Sequence, residues 1–193
     1  FGKSGFSHVN SGLAALLFEA VAPGIEIVSD KSWQCAVYEA YQNTDAPHPN
    51  YRLSESNIRF DARMEMSGWN RPGYTGKMPN AEIISPVGVA PLGKLVERPI
   101  PLWKDYGLKP YASVRRSAAG DTLYCRLPYN SQVTPYLKVE APAGKVIHIR
   151  TDNYEGGSQY NVRAEYITRD GVQEYENYGW MNGHEMQYIL PEG

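Results

Sequence analysis

Cysteine is scarce in this chain: 193 residues carry two, Cys35 and Cys125, each inside a strand-like run (WQCAVY and TLYCRL). That excludes a small disulfide-stapled scaffold, and both read as buried core thiols rather than as a bridge. Long apolar runs are missing too. The longest, Leu13–Phe18, falls far short of the roughly 20 residues that a membrane-spanning helix needs, and no charged-then-apolar leader precedes it. Charge of one sign is also absent. Nineteen Lys and Arg stand against 21 Asp and Glu with no basic run, which removes the electrostatic footprint of nucleic-acid or anionic-membrane binding. The expected partners therefore include no nucleic acid and no membrane, and the chain reads as soluble.

Signatures of chemistry are missing in the same way. The histidines, His8, His48, His148 and His184, are scattered and the cysteines single, so no zinc-ligand spacing exists. There is no Gly-x-Ser-x-Gly elbow, phosphate loop or dinucleotide fingerprint; GKSG at Gly2–Gly5 lacks the leading glycine and the preceding strand. Acid pairs such as Asp61/Glu65 and Asp152/Glu155 read as solvated loops rather than as the two carboxylates of a glycosidase. No cofactor is expected, and calcium has no supporting motif.

What is present points to β structure. Aromatic residues make up 12% of the chain, with fifteen Tyr beside 18 Gly and 14 Pro, a mixture of strand formers and chain breakers. Candidate strands are Leu13–Val21, Glu26–Ser29, Trp33–Tyr38, Ile58–Ala62, Tyr111–Arg115, Thr122–Leu127, Thr134–Glu140, Lys145–Thr151, Asn161–Thr168, Val172–Tyr178 and Glu185–Leu190. The alternation in Val146-Ile147-His148-Ile149-Arg150 gives one buried and one wet face. Turn signals such as Ala141-Pro142-Ala143-Gly144 and Arg169-Asp170-Gly171 separate the strands. The reading is an all-β, antiparallel β-sandwich or jelly-roll-like fold. Pro72, Pro79, Pro86, Pro91, Pro99, Pro101 and Pro110 mark an extended Pro-rich connector within it.

The closing GWMNGHEMQYILPEG reads as a hairpin, with Gly179–Gly183 as its loop and Asn182-Gly183 at positive φ. His184 and Glu185 are then adjacent strand residues on opposite faces, unable to act on one substrate atom. The opening FGKSGFSHVNSG, starting at Phe rather than Met, reads as the start of a fragment.

Four phrases resemble one family. FDARMEMSGWNRPGY, Phe60–Tyr74, resembles the Asp-Ala-Arg-x-Glu…Gly-Trp phrase that ends the N-terminal β module of bacterial α-L-rhamnosidases, and IVSDKSWQCA resembles an earlier strand entry of that module. PYLKVEAPAGKVIHIRTDNY and YITRDGVQEYENYGWMNGHEMQYILPEG are similar to the next β-sandwich of the same enzymes. The resemblance implies residues 1–80 as the C-terminal part of the first module, 81–108 as the connector and 109–193 as the second sandwich. It further implies a parent glycosidase that hydrolyses with inversion in a separate (α/α)₆ barrel downstream, so no catalytic residue is carried over. The chain departs from the family where an Asp-x-Gly-Gln and a His-Gly-Phe-Arg-Tyr phrase are usual; Arg126-Leu127-Pro128-Tyr129-Asn130 and Trp180-Met181-Asn182-Gly183-His184 stand there instead. Some family members bind rhamnose through a calcium-dependent β module, but Asp152-Asn153 does not match that site.

The implied role is a non-catalytic β-sandwich segment of an α-L-rhamnosidase-like hydrolase; the alternative is a stand-alone carbohydrate-binding or adhesive module. Implied partners are the intramolecular catalytic barrel and a rhamnose-containing oligosaccharide or glycoside, with a periplasmic or extracellular location. Sugar stacks on aromatic faces, and the aromatic candidates in turn-rich stretches are Trp69, Tyr74, Tyr154 and Trp180. Trp33 and Trp103 read as packing residues.

Overall fold

The structure is a computed structural model that describes residues 15–46, 57–89, 93–102, 104–153, 155–156, 159–160 and 162–192. The described residues of 15–37 and 66–105 form one compact unit, and those of 38–65 and 106–192 a second.

In the first unit β1 (Glu19–Ala22) and β2 (Ile25–Val28) make an antiparallel hairpin in register Glu19↔Val28. Its turn is Pro23-Gly24, where Gly24 takes φ 75°, a value that glycine alone reaches cheaply. The strand expected at Trp33–Tyr38 is not formed; the segment makes a single antiparallel bridge, Gln34↔Asn80. The reason lies in the partner. Cys35 N donates to Pro79 O at 3.0 Å, but proline has no N–H to return, so the ladder stops there. Cys35 is consequently exposed rather than buried, while Cys125 is buried, and both are free thiols. Trp33 is half-buried, its ring 5.6 Å from that of Phe18. Trp103 lies outside the described residues.

The second unit holds β3 (Tyr41–Asn43), β4 (Ile58–Asp61), β5 (Ser113–Arg116), β6 (Thr122–Val133), β7 (Tyr136–Ala141), β8 (Val146–Thr151), β9 (Glu155–Gly156), β10 (Gln159–Tyr160), β11 (Arg163–Ile167), β12 (Gly171–Glu176) and β13 (Met181–Ile189). Seven of them form one sheet in the order β3-β4-β11-β8-β13-β6-β5, while β12-β7 and β10-β9 form two-stranded sheets. No α-helix occurs among the described residues; one 3₁₀ turn, Ala62–Met64, follows β4. The fold is all-β. Its pairings are antiparallel except for β4 with β11, which run parallel.

The β12-β7 sheet packs on one face of the large sheet. Leu137 and Tyr175 from the small sheet share a buried cluster with Phe60, Ile147, Ile149, Tyr166, Met186 and Tyr188 from the large one. The Tyr166 and Tyr175 rings stack at 4.8 Å across the gap. Burial alternates along β8, with Ile147, Ile149 and Thr151 buried and Val146, His148 and Arg150 half-buried, as its sequence alternation requires.

The Asp-Ala-Arg phrase ends β4. Asp61 accepts from Arg63 N at 3.0 Å and Nε at 2.9 Å on Oδ1, and from Nη2 at 2.7 Å on Oδ2. The carboxylate caps the 3₁₀ turn and holds the guanidinium at once. Asp61 is therefore a buried structural group, not a solvated loop acid.

GWMNGHE is not a hairpin. Residues 181–189 are one strand, β13, which pairs with β6 and β8, while β12 pairs with β7. Gly183 faces Ser131 inside the ladder and is not among the glycines at positive φ. The register slips between Gly183 and Glu185, and the slip is held by Asp152, whose Oδ1 accepts from His184 N at 2.8 Å and Glu185 N at 3.1 Å. Gly183 is required by close approach: a Cβ there would lie 2.5 Å from Asp152 Oδ1 and 2.7 Å from Thr151 Cβ. Gly183→Val is expected to destabilise by about 1–3 kcal/mol through overpacking, and His184→Ala by no more than about 0.5 kcal/mol. Denaturant midpoints measure both, and a neutral Gly183→Val would contradict the close packing.

Candidate functional site

The face of the seven-stranded sheet opposite the β12-β7 layer is polar. Pairing sets Glu165 beside His148 and Arg59, and Arg150 beside Arg163 and Gln187. These are alternate residues of four neighbouring strands, so their side chains share a face.

Glu165 lies at its centre, 3% exposed. Its Oε2 accepts from Arg59 Nε at 2.8 Å and stands 2.7 Å from Arg59 Nη2. Its Oε1 accepts from Arg163 Nε at 3.2 Å. The arginines have further duties. Arg59 Nη2 bonds Asp45 Oδ2 at 2.7 Å, and Arg163 Nη2 donates to the carbonyls of Asp45 and Ala46 at 2.8 and 3.1 Å. Arg163 N also donates to Asn57 Oδ1 at 2.7 Å. A buried carboxylate is tolerated when its charge is matched and its lone pairs are occupied in this way.

Beside the carboxylate opens a cleft of about 410 Å³, lined by His148, Arg150, Tyr160, Arg163, Glu165 and Ile189. Arg150 donates from Nε to Gln187 Oε1 at 3.0 Å and places its guanidinium 3.6 Å from the centre of the Tyr160 ring, a cation–π contact. His148 Nδ1 is 3.6 Å from Glu165 Oε1. Burial holds the His148 imidazole below its usual value; Glu165 opposes that shift, and the arginines at 163, 150 and 59 add to it. Among the described residues no group of three or more His, Cys, Asp or Glu side chains could hold a metal ion. No helix among them is long and apolar enough to cross a membrane.

The aromatic candidates do not gather at this cleft. Trp69 and Tyr74 belong to the first unit, on consecutive turns in which Trp69 N donates to Met66 O and Tyr74 N to Arg71 O, each at 3.3 Å. Trp69 is 50% and Tyr74 39% exposed, and the Tyr74 ring lies against Gly76, where any side chain would collide with it. Trp180 belongs to the second unit and is half-buried just before β13. Tyr154 lies outside the described residues. Sequence reading passed over the arginine cleft. Its signal was the spacing Arg163-x-Glu165 next to His148-x-Arg150, two charged alternations that become one cluster only when β8 and β11 pair.

An all-β sandwich with a charged outer face defines the structural class, and comparison narrows it. No protein-family model matches the chain, and no curated protein matches it. Among solved structures, the α-L-rhamnosidase from Dictyoglumus thermophilum aligns with a TM-score of 0.65 at 21% identity, covering 88% of this chain and 19% of that one. The Streptomyces avermitilis α-L-rhamnosidase, solved in complex with L-rhamnose, aligns with a TM-score of 0.58 at 18% identity, covering 88% of this chain and 16% of that one. The likeness is one of fold, to a segment of these enzymes: the chain spans less than a fifth of the length of either.

Two outcomes test the cluster. Glu165→Gln leaves two arginines facing an uncharged amide and is expected to cost on the order of 3 kcal/mol, read from the denaturant midpoint. His148, with a folded pKa below the unfolded value of about 6.5, lets the unfolded chain bind its proton first. Its contribution to stability is thus complete above about pH 6.5 and declines as pH falls through that value. An NMR titration should place the His148 midpoint below about 6.5; a midpoint above it would refute the assigned environment.

Proposed function

We propose that this chain is a non-catalytic β-sandwich segment of an α-L-rhamnosidase-like glycoside hydrolase, which supports a separate helical catalytic barrel and contacts carbohydrate. The observation that carries the reading is the alignment of 88% of the chain with an α-L-rhamnosidase at a TM-score of 0.65. The resemblance of FDARMEMSGWNRPGY to a phrase of that family supports it independently. Its Asp61 and Arg63 are engaged with each other at the end of β4, a structural duty that suits a supporting segment. Rhamnose-containing glycosides are the proposed ligand class of the parent enzyme. Trp69, Tyr74, Tyr154 and Trp180 are the proposed stacking residues, and the exposure of Trp69 and Tyr74 is consistent with such a role.

The purified chain is expected to release no aglycone from an aryl α-L-rhamnoside. Turnover that disappears when one of the chain's own acids is substituted would make the segment catalytic and overturn the reading. L-rhamnose should perturb tryptophan fluorescence, and Trp69→Ala should abolish or reduce that response; a response unchanged in Trp69→Ala and Trp180→Ala would remove both residues from the contact.

A further inference from the structure

Arg150 lines the cleft with hydrogen-bonding capacity that no described residue takes up. Arg59 and Arg163 bind Glu165; Arg59 Nη2 also reaches the Asp45 carboxylate, and Arg163 donates further to the carbonyls of Asp45, Ala46 and Tyr160. Arg150 gives Nε to Gln187, and its two Nη groups make no hydrogen bond among the described residues. Among the described side chains three guanidinium groups here face two carboxylates, Glu165 and Asp45, and Arg150 pairs with neither. We propose that the cleft binds the carboxylate of an acidic saccharide, a uronate residue, with Arg150 as its principal partner.

Four features favour that ligand. The free end of a guanidinium presents two parallel N–H donors at the spacing of carboxylate oxygens, and the Tyr160 ring at 3.6 Å fixes its plane. A volume of about 410 Å³ exceeds what a lone anion fills and lies within the roughly 300–1,000 Å³ of small-molecule sites, so a pyranose ring fits with the carboxylate. The His148 imidazole, 3.6 Å from Glu165 Oε1, makes no side-chain hydrogen bond among the described residues and lines the same cleft, where it can serve a hydroxyl. Ile189 gives an apolar patch for the C–H face of a sugar. Glu165 does not repel the anion strongly, because Arg59 and Arg163 already offset its charge. The choice of a sugar rests on the carbohydrate reading above, whereas the demand for an anion rests on the cleft alone.

The test is an amide NMR titration of the 193-residue chain at constant ionic strength with sodium D-glucuronate, its neutral counterpart D-glucose, sodium acetate, a short polyglutamate peptide and L-rhamnose. Glucuronate is expected to shift the amides of His148, Arg150, Arg163 and Glu165, with an affinity about tenfold or more above that of glucose or acetate. Arg150→Gln should reduce it by about tenfold or more while the rest of the spectrum is retained. Equal affinity for glucose would show that the charge is not recognised, and equal affinity for acetate that the ring is not; either overturns the proposal. Tighter binding of the peptide would make the cleft a protein-docking site and overturn it as well. Rhamnose shifts confined to Trp69 or Trp180, without glucuronate binding, would defeat this inference and leave the proposed function standing; glucuronate binding without any rhamnose response would do the reverse.

Discussion

Glu165 and Arg59 lie 106 residues apart in the chain, and their contact joins the two parts from which the second unit is made. A parallel pair such as β4 and β11 cannot be closed by a tight turn, so the distant segment has to be held by what it brings with it. On the polar face β4 brings Arg59 to Glu165. On the opposite face it brings Phe60, whose ring stacks with Tyr166 at 6.0 Å and Tyr175 at 4.9 Å. At its two ends Asn57 Oδ1 receives the N–H of Arg163, and Asp61 turns the chain out of the strand by binding Arg63. Loss of the Glu165 charge would strip one face of that attachment and leave β4, and β3 paired to it, held by the ladder, the Asn57 bond and the Phe60 stack.

The strands legible from sequence were those with a clear period and a turn at each end. β8, β11 and β12 follow the alternations and the Pro-Ala-Gly and Arg-Asp-Gly turns to within two residues. The Arg-Asp-Gly turn is further closed by Gln173, which accepts from Arg169 N and donates to the carbonyls of Arg169 and Gly171. Failures came where a tertiary contact overrode local chemistry. Asn182-Gly183 is a strong turn signal in isolation, but Met181 and Met186 are both buried, and the Asp152 carboxylate supplies the hydrogen bonds that a turn would have made internally. Nothing near Gly183 in the sequence announces an acid 31 positions earlier. β6 similarly continues through Pro128 to Val133, because its register shift opposite Gly183 gives the proline a place outside regular pairing.

The candidate site was less legible than the fold. Sequence reasoning sought aromatic side chains in turns, which is where sugar platforms are commonly presented, and it distributed them over both units. Charge gave no warning, since the chain is nearly neutral and has no basic run. The concentration arises from pairing alone: Arg59, Arg150 and Arg163 come from three strands whose order in the sheet is not their order in the chain. A parallel crossover between distant segments is the part of topology that local patterns specify least.

The tyrosines explain why the two faces of the large sheet do such different work. Tyr166, Tyr175 and Tyr188 are buried, yet each hydroxyl is occupied, donating to Gln173, Asn177 and the carbonyl of Tyr136 respectively. Tyr111 shares a hydrogen bond with Tyr188 at 2.7 Å, and because the Tyr188 proton is already given to Tyr136, Tyr111 is the donor. Burial drives these phenols upward, Tyr166 to about 12, which favours their neutral, donating form. The core is thereby wide and aromatic without a charge inside it. The buried ionised side chains of this sheet lie on its other face, where Glu165 is matched by two arginines and Arg150 retains donors to offer. A neutral, hydrogen-bond-satisfied layer on one side therefore confines unspent charge to the other, and the cleft at Arg150 is where the molecule can still form a strong, charge-assisted bond with something outside itself.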